Sequence, residues 1–200
     1  SESIPADEIE VWPNVKEPEN VNFALVWKHQ HGSLNEFKNL KGISSFGAGV
    51  DSILVDKTLP DVPIARIIDP DLADNMAVYV LSQILNHKIR TPLFNQQQAQ
   101  SFWKPKSPRR KNKVGILGLG QLGQVTGEKL RQNGFDVFGW SRSQKQIDGI
   151  ECLSGLNGLN ILAGQVDYLV CLLPLTDATE NILNKELFSA MQDHAVVINV

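Results

Sequence analysis

The run Gly118-Leu119-Gly120-Gln121-Leu122-Gly123 constrains this chain more tightly than any other segment. It directly follows the apolar stretch Val114-Gly115-Ile116-Leu117, which reads as a buried strand, and it opens a stretch, 121–132, that reads as a helix stopped by Asn133-Gly134. The G-x-G-x-x-G spacing alone is weak, because a chain with 15 glycines in 200 residues produces it by chance. Placed between a strand and a helix, it marks a dinucleotide-binding turn. Gly118 permits the tight turn, Gly120 keeps a Cβ out of the path of a pyrophosphate, and Gly123 lets helix and strand pack closely. Gln121 and Leu122 then stand in the first helical turn, where free N–H groups and the positive dipole end hold an anion. A glycine turn that merely packs, and a Rossmann site for S-adenosylmethionine, are the competing readings.

The next strand, read as 136–140, ends in Trp140-Ser141-Arg142-Ser143. A dinucleotide with a free ribose 2′-OH calls for an Asp or Glu about 20 residues beyond the glycines, and none stands here. Arg142 can instead grip a 2′-phosphate through a charge-assisted fork, with Ser141 and Ser143 adding hydroxyls. The expected cofactor is therefore NADP(H), with NAD(H) as the second choice. Lys145 either adds to that grip or is a solvated side chain, the second reading being favoured.

Composition narrows the class further. A length of 200 residues suits one large domain or two small ones, and 42% hydrophobic with 20% charged residues is ordinary globular composition. A net charge of −3 argues against a dedicated nucleic-acid binder. Cys152 and Cys171 have no near Cys or His at ligand spacing, so no metal site is expected, and sparse cysteine suits a reducing, cytoplasmic setting. No apolar run approaches the roughly 20 residues of a membrane span. The acidic start of the chain is unlike a secretory signal. Because the sequence begins at Ser1 and stops inside the strand-like run 195–200, it reads as a fragment of a longer protein.

Strand signals at 23–27, 42–46 and 65–68 alternate with helical spacing at Leu34, Phe37 and Leu40. A long helix marked by Leu72, Met76, Val80 and Ile84 then runs to about Lys88, and polar, Pro-containing sequence fills 96–113. Strands at 168–173 and 195–200 flank a helix at about 185–191. Strand–helix alternation of this kind implies α/β architecture with a doubly wound parallel sheet.

These landmarks come in a familiar order. Gly47-Ala48-Gly49-Val50-Asp51, the glycine run, Trp-Ser-Arg-Ser, Leu173-Pro174-Leu175-Thr176 with Thr179, and Ile198-Asn199-Val200 together resemble D-isomer-specific 2-hydroxyacid dehydrogenases, most of all the bacterial glyoxylate/hydroxypyruvate reductase A branch. The resemblance runs from about Phe23 to Val200. It implies a flavodoxin-like substrate domain at 1–73 and a Rossmann cofactor domain at 74–200, both incomplete. It implies NADPH-dependent reduction of glyoxylate to glycolate and of hydroxypyruvate to D-glycerate. Ala48 and Gly49 would present N–H groups to the substrate carboxylate, and Trp27 would wall the pocket. Leu173, Pro174, Thr179, Asn199 and Val200 would join the glycines, Ser141, Arg142 and Ser143 around the cofactor, with Thr179 donating to its phosphates.

The family's catalytic Arg, Glu and His are expected beyond Val200, leaving no catalytic residue within this chain. None of the four histidines is promoted in their place; His29, His31, His87 and His194 read as surface residues. The cluster Lys104, Lys106, Arg109, Arg110, Lys111 and Lys113 beside Phe102 and Trp103 reads as a solvated connector rather than a nucleic-acid surface, and the resemblance places it at a homodimer contact. The expected partners are thus a small 2-oxo or 2-hydroxy acid and a second copy of the chain, with no nucleic acid and no membrane. A non-catalytic dinucleotide sensor or corepressor on the same fold is the alternative.

Overall fold

A computed structural model of the chain describes Pro5 and residues 8–200; the other residues of the acidic start lie outside the described residues. The chain divides into two compact units, Ser1–Ile68 and Asp69–Val200. The boundary drawn near residue 73 from sequence falls inside the first turns of a helix that begins at Pro70.

In the first unit, β1 (Phe23–Val26), β2 (Gly42–Ser45) and β3 (Ile64–Arg66) form a parallel sheet in that spatial order, with Phe23 opposite Gly42 and Ile43 opposite Ile64. Side chains alternate across a strand, so Ala24 and Val26 face a core of Leu34, Phe37, Leu40, Ile43 and Ile53 while Phe23 and Leu25 stay exposed. A short helix, α1 (Asp51–Leu54), follows β2. The helix expected over 34–40 is a single 3-10 turn, Ser33–Glu36, entered through left-handed Gly32. Leu34, Phe37 and Leu40 are all buried, but only Leu34 lies within the turn; their spacing of three fits the 3-10 repeat rather than the α-helical one.

The second unit carries the larger sheet. Parallel strands β4 (Lys113–Leu117), β5 (Asp136–Ser141), β6 (Glu151–Ser154), β7 (Tyr168–Cys171) and β8 (Val196–Asn199) lie in the order β6-β5-β4-β7-β8. Helices α2 (Pro70–Lys88), α3 (Thr91–Ala99), α4 (Gln121–Gln132), α5 (Gly155–Gln165) and α6 (Lys185–Ala190) complete it. Asp69 caps α2 by accepting from the Asp71 N–H at 2.9 Å, with Pro70 in the first turn, where it costs no hydrogen bond.

Both faces of this sheet are covered, which explains its nearly continuous apolar strands. Val114, Ile116, Tyr168 and Val170 pack with Val80, Ile84 and Leu130 of α2 and α4. Leu117, Leu169 and Cys171 pack on the other side with Leu159, Leu162 and Ala163 of α5 and Leu187 of α6. Leu72 and Met76, read as part of the α2 core stripe, are not in it; the buried positions are Ala73, Ala77, Val80 and Ile84. Small side chains at the start of that stripe let α2 lie close where it packs on α4.

In the second unit, three elements have no counterpart in the sequence. The glutamine-rich α3 buries only Gln97, so it lacks apolar periodicity. β6 and α5 meet at Gly155, which has a positive φ of 69°, and glycine and asparagine through α5 mask its period.

Candidate functional site

The carboxyl ends of β4, β5, β7 and β8 lie along one edge of the second sheet, and this edge gathers the residues read as cofactor contacts. The sheet order reverses between β4 and β7, where open α/β sheets bind their ligands. Gly118 leaves β4 with φ of 100° while its N–H donates to the Trp140 carbonyl at 2.9 Å. A Cβ on Gly120 would enter open space, whereas a Cβ on Gly123 would stand 1.9 Å from the Gly118 carbonyl oxygen. Turn, open approach and close packing thus fall at the positions the spacing assigned to them. No side chain caps α4 at Gly120 and no acidic residue stands in its first turn, so the N–H groups and dipole there are available to an anion.

Beyond β5, the Ser141 hydroxyl donates to the Ser143 carbonyl at 2.7 Å, leaving Arg142 and Ser143 exposed. Gln144 ties the same loop to the edge strand, donating to the Cys152 carbonyl and accepting from the Ser154 hydroxyl, both at 2.9 Å. Lys145, read as solvated, is half-buried and donates to the Leu119 carbonyl at 2.7 Å. Burial of its stem beside the glycine turn, invisible in sequence, makes it a structural tie between the two loops.

The β7 exit lies against the glycine turn: a Cβ on Gly118 would meet Leu173 and the Leu172 carbonyl at 3.1 Å. Pro174 follows exposed, and Asn199 ends β8 opposite Cys171, whose carbonyl accepts from the N–H of Val200 just beyond the strand. The Thr179 hydroxyl is engaged inside its own loop, donating to the Pro174 carbonyl and accepting from the Thr176 N–H at 2.9 Å. It braces the Leu173–Pro174 wall. Cys171 is buried, and burial pushes its thiol above the usual range, as suits a core residue.

In the first unit, Trp27 and the Gly47–Gly49 turn occupy the carboxyl edge of β1 and β2, with Trp27 67% exposed. Buried Ser45, not singled out from sequence, braces the turn: its hydroxyl donates to the Gly49 carbonyl at 2.7 Å and accepts from the Gly47 N–H at 3.2 Å. The Ala48 and Gly49 N–H groups have no protein acceptor among the described residues.

The histidines correct the surface reading at two positions. The His29 side chain is buried and its Nε2 lies 3.1 Å from Asp56 Oδ2. Asp56 also accepts from the Thr58 hydroxyl and N–H and from the Gly32 N–H, which hold its carboxyl far below the usual carboxylate range. Half-buried His87 meets the Tyr168 hydroxyl at 3.0 Å. Burial, then Arg109, Lys111 and Arg90, lower its pKa from 6.5. Exposed His194 pairs with Asp167 at 2.8 Å. Among the described residues no group of His, Cys, Asp or Glu is arranged to hold a metal, and no helix is long and apolar enough to cross a membrane. The 104–113 connector is fastened to the second unit: Arg109 donates to the His87 carbonyl, and Asp167 accepts from the Asn112 and Lys113 N–H groups.

Residues 81–200 match the family model described as D-isomer specific 2-hydroxyacid dehydrogenase, NAD binding domain. The chain belongs to the D-isomer specific 2-hydroxyacid dehydrogenase family. Among relatives in this family, glyoxylate/hydroxypyruvate reductase A of Serratia proteamaculans is 37% identical over the whole chain, and that of Yersinia enterocolitica 36% identical over 98% of it. The chain spans 66% and 65% of their respective lengths. A dehydrogenase of the family from Xanthobacter autotrophicus Py2, solved with NADPH and MES, superposes with a TM-score of 0.87 at 39% identity, covering 92% of this chain and 59% of that one. An NADPH-dependent glyoxylate/hydroxypyruvate reductase from Sinorhizobium meliloti, solved with NADP and sulfate, gives 0.83 at 36% identity over 90% of this chain and 59% of its own.

Proposed function

We propose that the whole protein reduces small 2-oxo acids with NADPH, converting glyoxylate to glycolate and hydroxypyruvate to D-glycerate. The observation that carries this reading is a glycine turn with room for a pyrophosphate at Gly120, beside a β5 end that bears exposed Arg142 and no carboxylate. The named activities of the bacterial relatives and the NADPH and NADP of the superposed structures support it.

Gly118, Gly120, Gln121, Leu122 and Gly123 take the pyrophosphate, and Arg142 and Ser143 take the 2′-phosphate. Ser141 and Thr179 shape the loops, while Leu173 and Pro174, with Asn199 and Val200, wall the nicotinamide side against water. NADPH, when bound, supplies a hydride to the keto carbon. Ala48 and Gly49 hold the substrate carboxylate through main-chain N–H groups, beside Trp27. A proton for the keto oxygen comes from a His which, with an Arg for the carboxylate and a Glu beside that His, the family resemblance places beyond Val200. Exposed Phe102 and Trp103 serve a homodimer contact.

NADPH oxidation by the full-length protein tests this against glyoxylate, hydroxypyruvate and pyruvate. Turnover of the first two is expected; oxidation with none of the three overturns the reading.

A further inference from the structure

Arg66 ends β3 on the same sheet edge as the Gly47–Gly49 turn, and its Nη1 donates to the Ala48 carbonyl at 3.2 Å. A trans peptide is planar with C=O and N–H pointing in opposite directions. Holding the Ala48 carbonyl therefore aims the Gly49 N–H, which belongs to the same peptide, away from the guanidinium and out of the turn. Ser45 fixes the following peptide in the same way through the Gly49 carbonyl. A hydrogen bond to a carbonyl also polarises its amide and strengthens the N–H as a donor. The exposed Arg66 side chain forms no ion pair among the described residues, and its charge offsets that of Asp51, whose carboxylate lies against Gly49 in the same turn.

We propose that Arg66 is a positioning residue for the substrate carboxylate: it orients and polarises the Gly49 N–H and adds positive potential beside it. The proposal rests on the reading of Ala48 and Gly49 as carboxylate donors. It adds a determinant of affinity for anionic substrates that lies within this chain and apart from the catalytic set expected beyond Val200. If Arg66 only closed the turn, its removal would loosen the first unit without favouring one kinetic constant.

The test is steady-state kinetics of the full-length protein with glyoxylate, alongside inhibition by oxalate, which carries carboxylates but accepts no hydride. Arg66→Gln is expected to raise the KM for glyoxylate and the Ki for oxalate together, by about tenfold, as befits loss of a charged hydrogen-bond donor. The kcat and the NADPH Kd should stay within about twofold, since neither depends on ground-state carboxylate binding. Arg66→Lys, which keeps the charge but lacks the fork, should recover part of the loss. Unchanged KM and Ki in Arg66→Gln, or an NADPH Kd that weakens in step with them, overturn the proposal while wild-type turnover leaves the proposed function standing. A wild-type protein that reduces no 2-oxo acid removes the proposed function, and the role of Arg66 with it.

Discussion

At Gly123 a single missing carbon decides whether α4 can begin where it does. A Cβ placed there would lie 1.9 Å from the Gly118 carbonyl oxygen, a backbone atom that cannot rotate aside. Gly123→Ala must push α4 away from the turn, at a cost on the order of 1–3 kcal/mol in strain, and it should weaken NADPH binding at least tenfold in a fluorescence titration. Gly120, whose Cβ would point into open space, should tolerate alanine for stability yet lose cofactor affinity. That split separates a packing glycine from a ligand-approach glycine. The role proposed for Arg142 is one of charge instead. NADPH is expected to bind at least tenfold tighter than NADH, and Arg142→Ala to erase most of that gap; equal affinities in the unaltered protein would refute the role assigned to it.

The elements around the site are tied by polar contacts that cross the fold. His87, near the end of α2, meets the Tyr168 hydroxyl of β7, and two influences compete on it. The carboxyl end of a helix favours a protonated imidazole, whereas burial and the cations Arg109, Lys111 and Arg90 oppose one. The second set wins, and the pKa falls below 6.5. The unfolded chain then binds the proton more readily than the folded one, so this contribution to stability is full above pH 6.5 and is lost as pH falls through the lowered value. Urea unfolding at pH 7.5 and 5.5 should show a smaller loss of stability for His87→Gln than for the unaltered protein. An equal loss in both would mean that other groups carry the pH dependence.

On the scale of the whole molecule, the two units have separate cores, one around Ile43 and Ile53 and the others on the two faces of the five-stranded β4–β8 sheet. The glycine turn, the Arg142 loop and the β7 and β8 ends all belong to the second unit. NADPH bound there stabilises what it binds by about 2.7 kcal/mol at one hundred times its Kd. Calorimetry with saturating NADPH should therefore raise the unfolding temperature of the second unit more than that of the first; equal shifts would require the cofactor to hold both.

Much of the second unit was readable along the chain because its signals are local. The glycine spacing, the apolar β4 run and the Asn133-Gly134 stop each depend on residues a few positions apart, and α4 begins and ends where they indicated. The same locality exposed the carboxylate-free end of β5. What escaped that reading depends on distant partners. β6 is too short to show a period, and the buried stripe Leu159, Leu162 and Ala163 of α5 is masked by glycine and asparagine; β6 forms as a partner for the edge of β5, and α5 covers the face of Leu117 and Leu169. His29 looked like a loop residue until Asp56 closed over it, and Lys145 like a solvated one until its ammonium reached Leu119. Ser45 and Arg66 carry no motif at all; parallel pairing of β2 with β3 brings both to the turn at Ala48 and Gly49. Backbone conformation and burial period are properties of neighbouring residues and are written in order along the chain. Which carbonyl a side chain reaches is set by strand register and sheet order, and these exist only once the chain has folded.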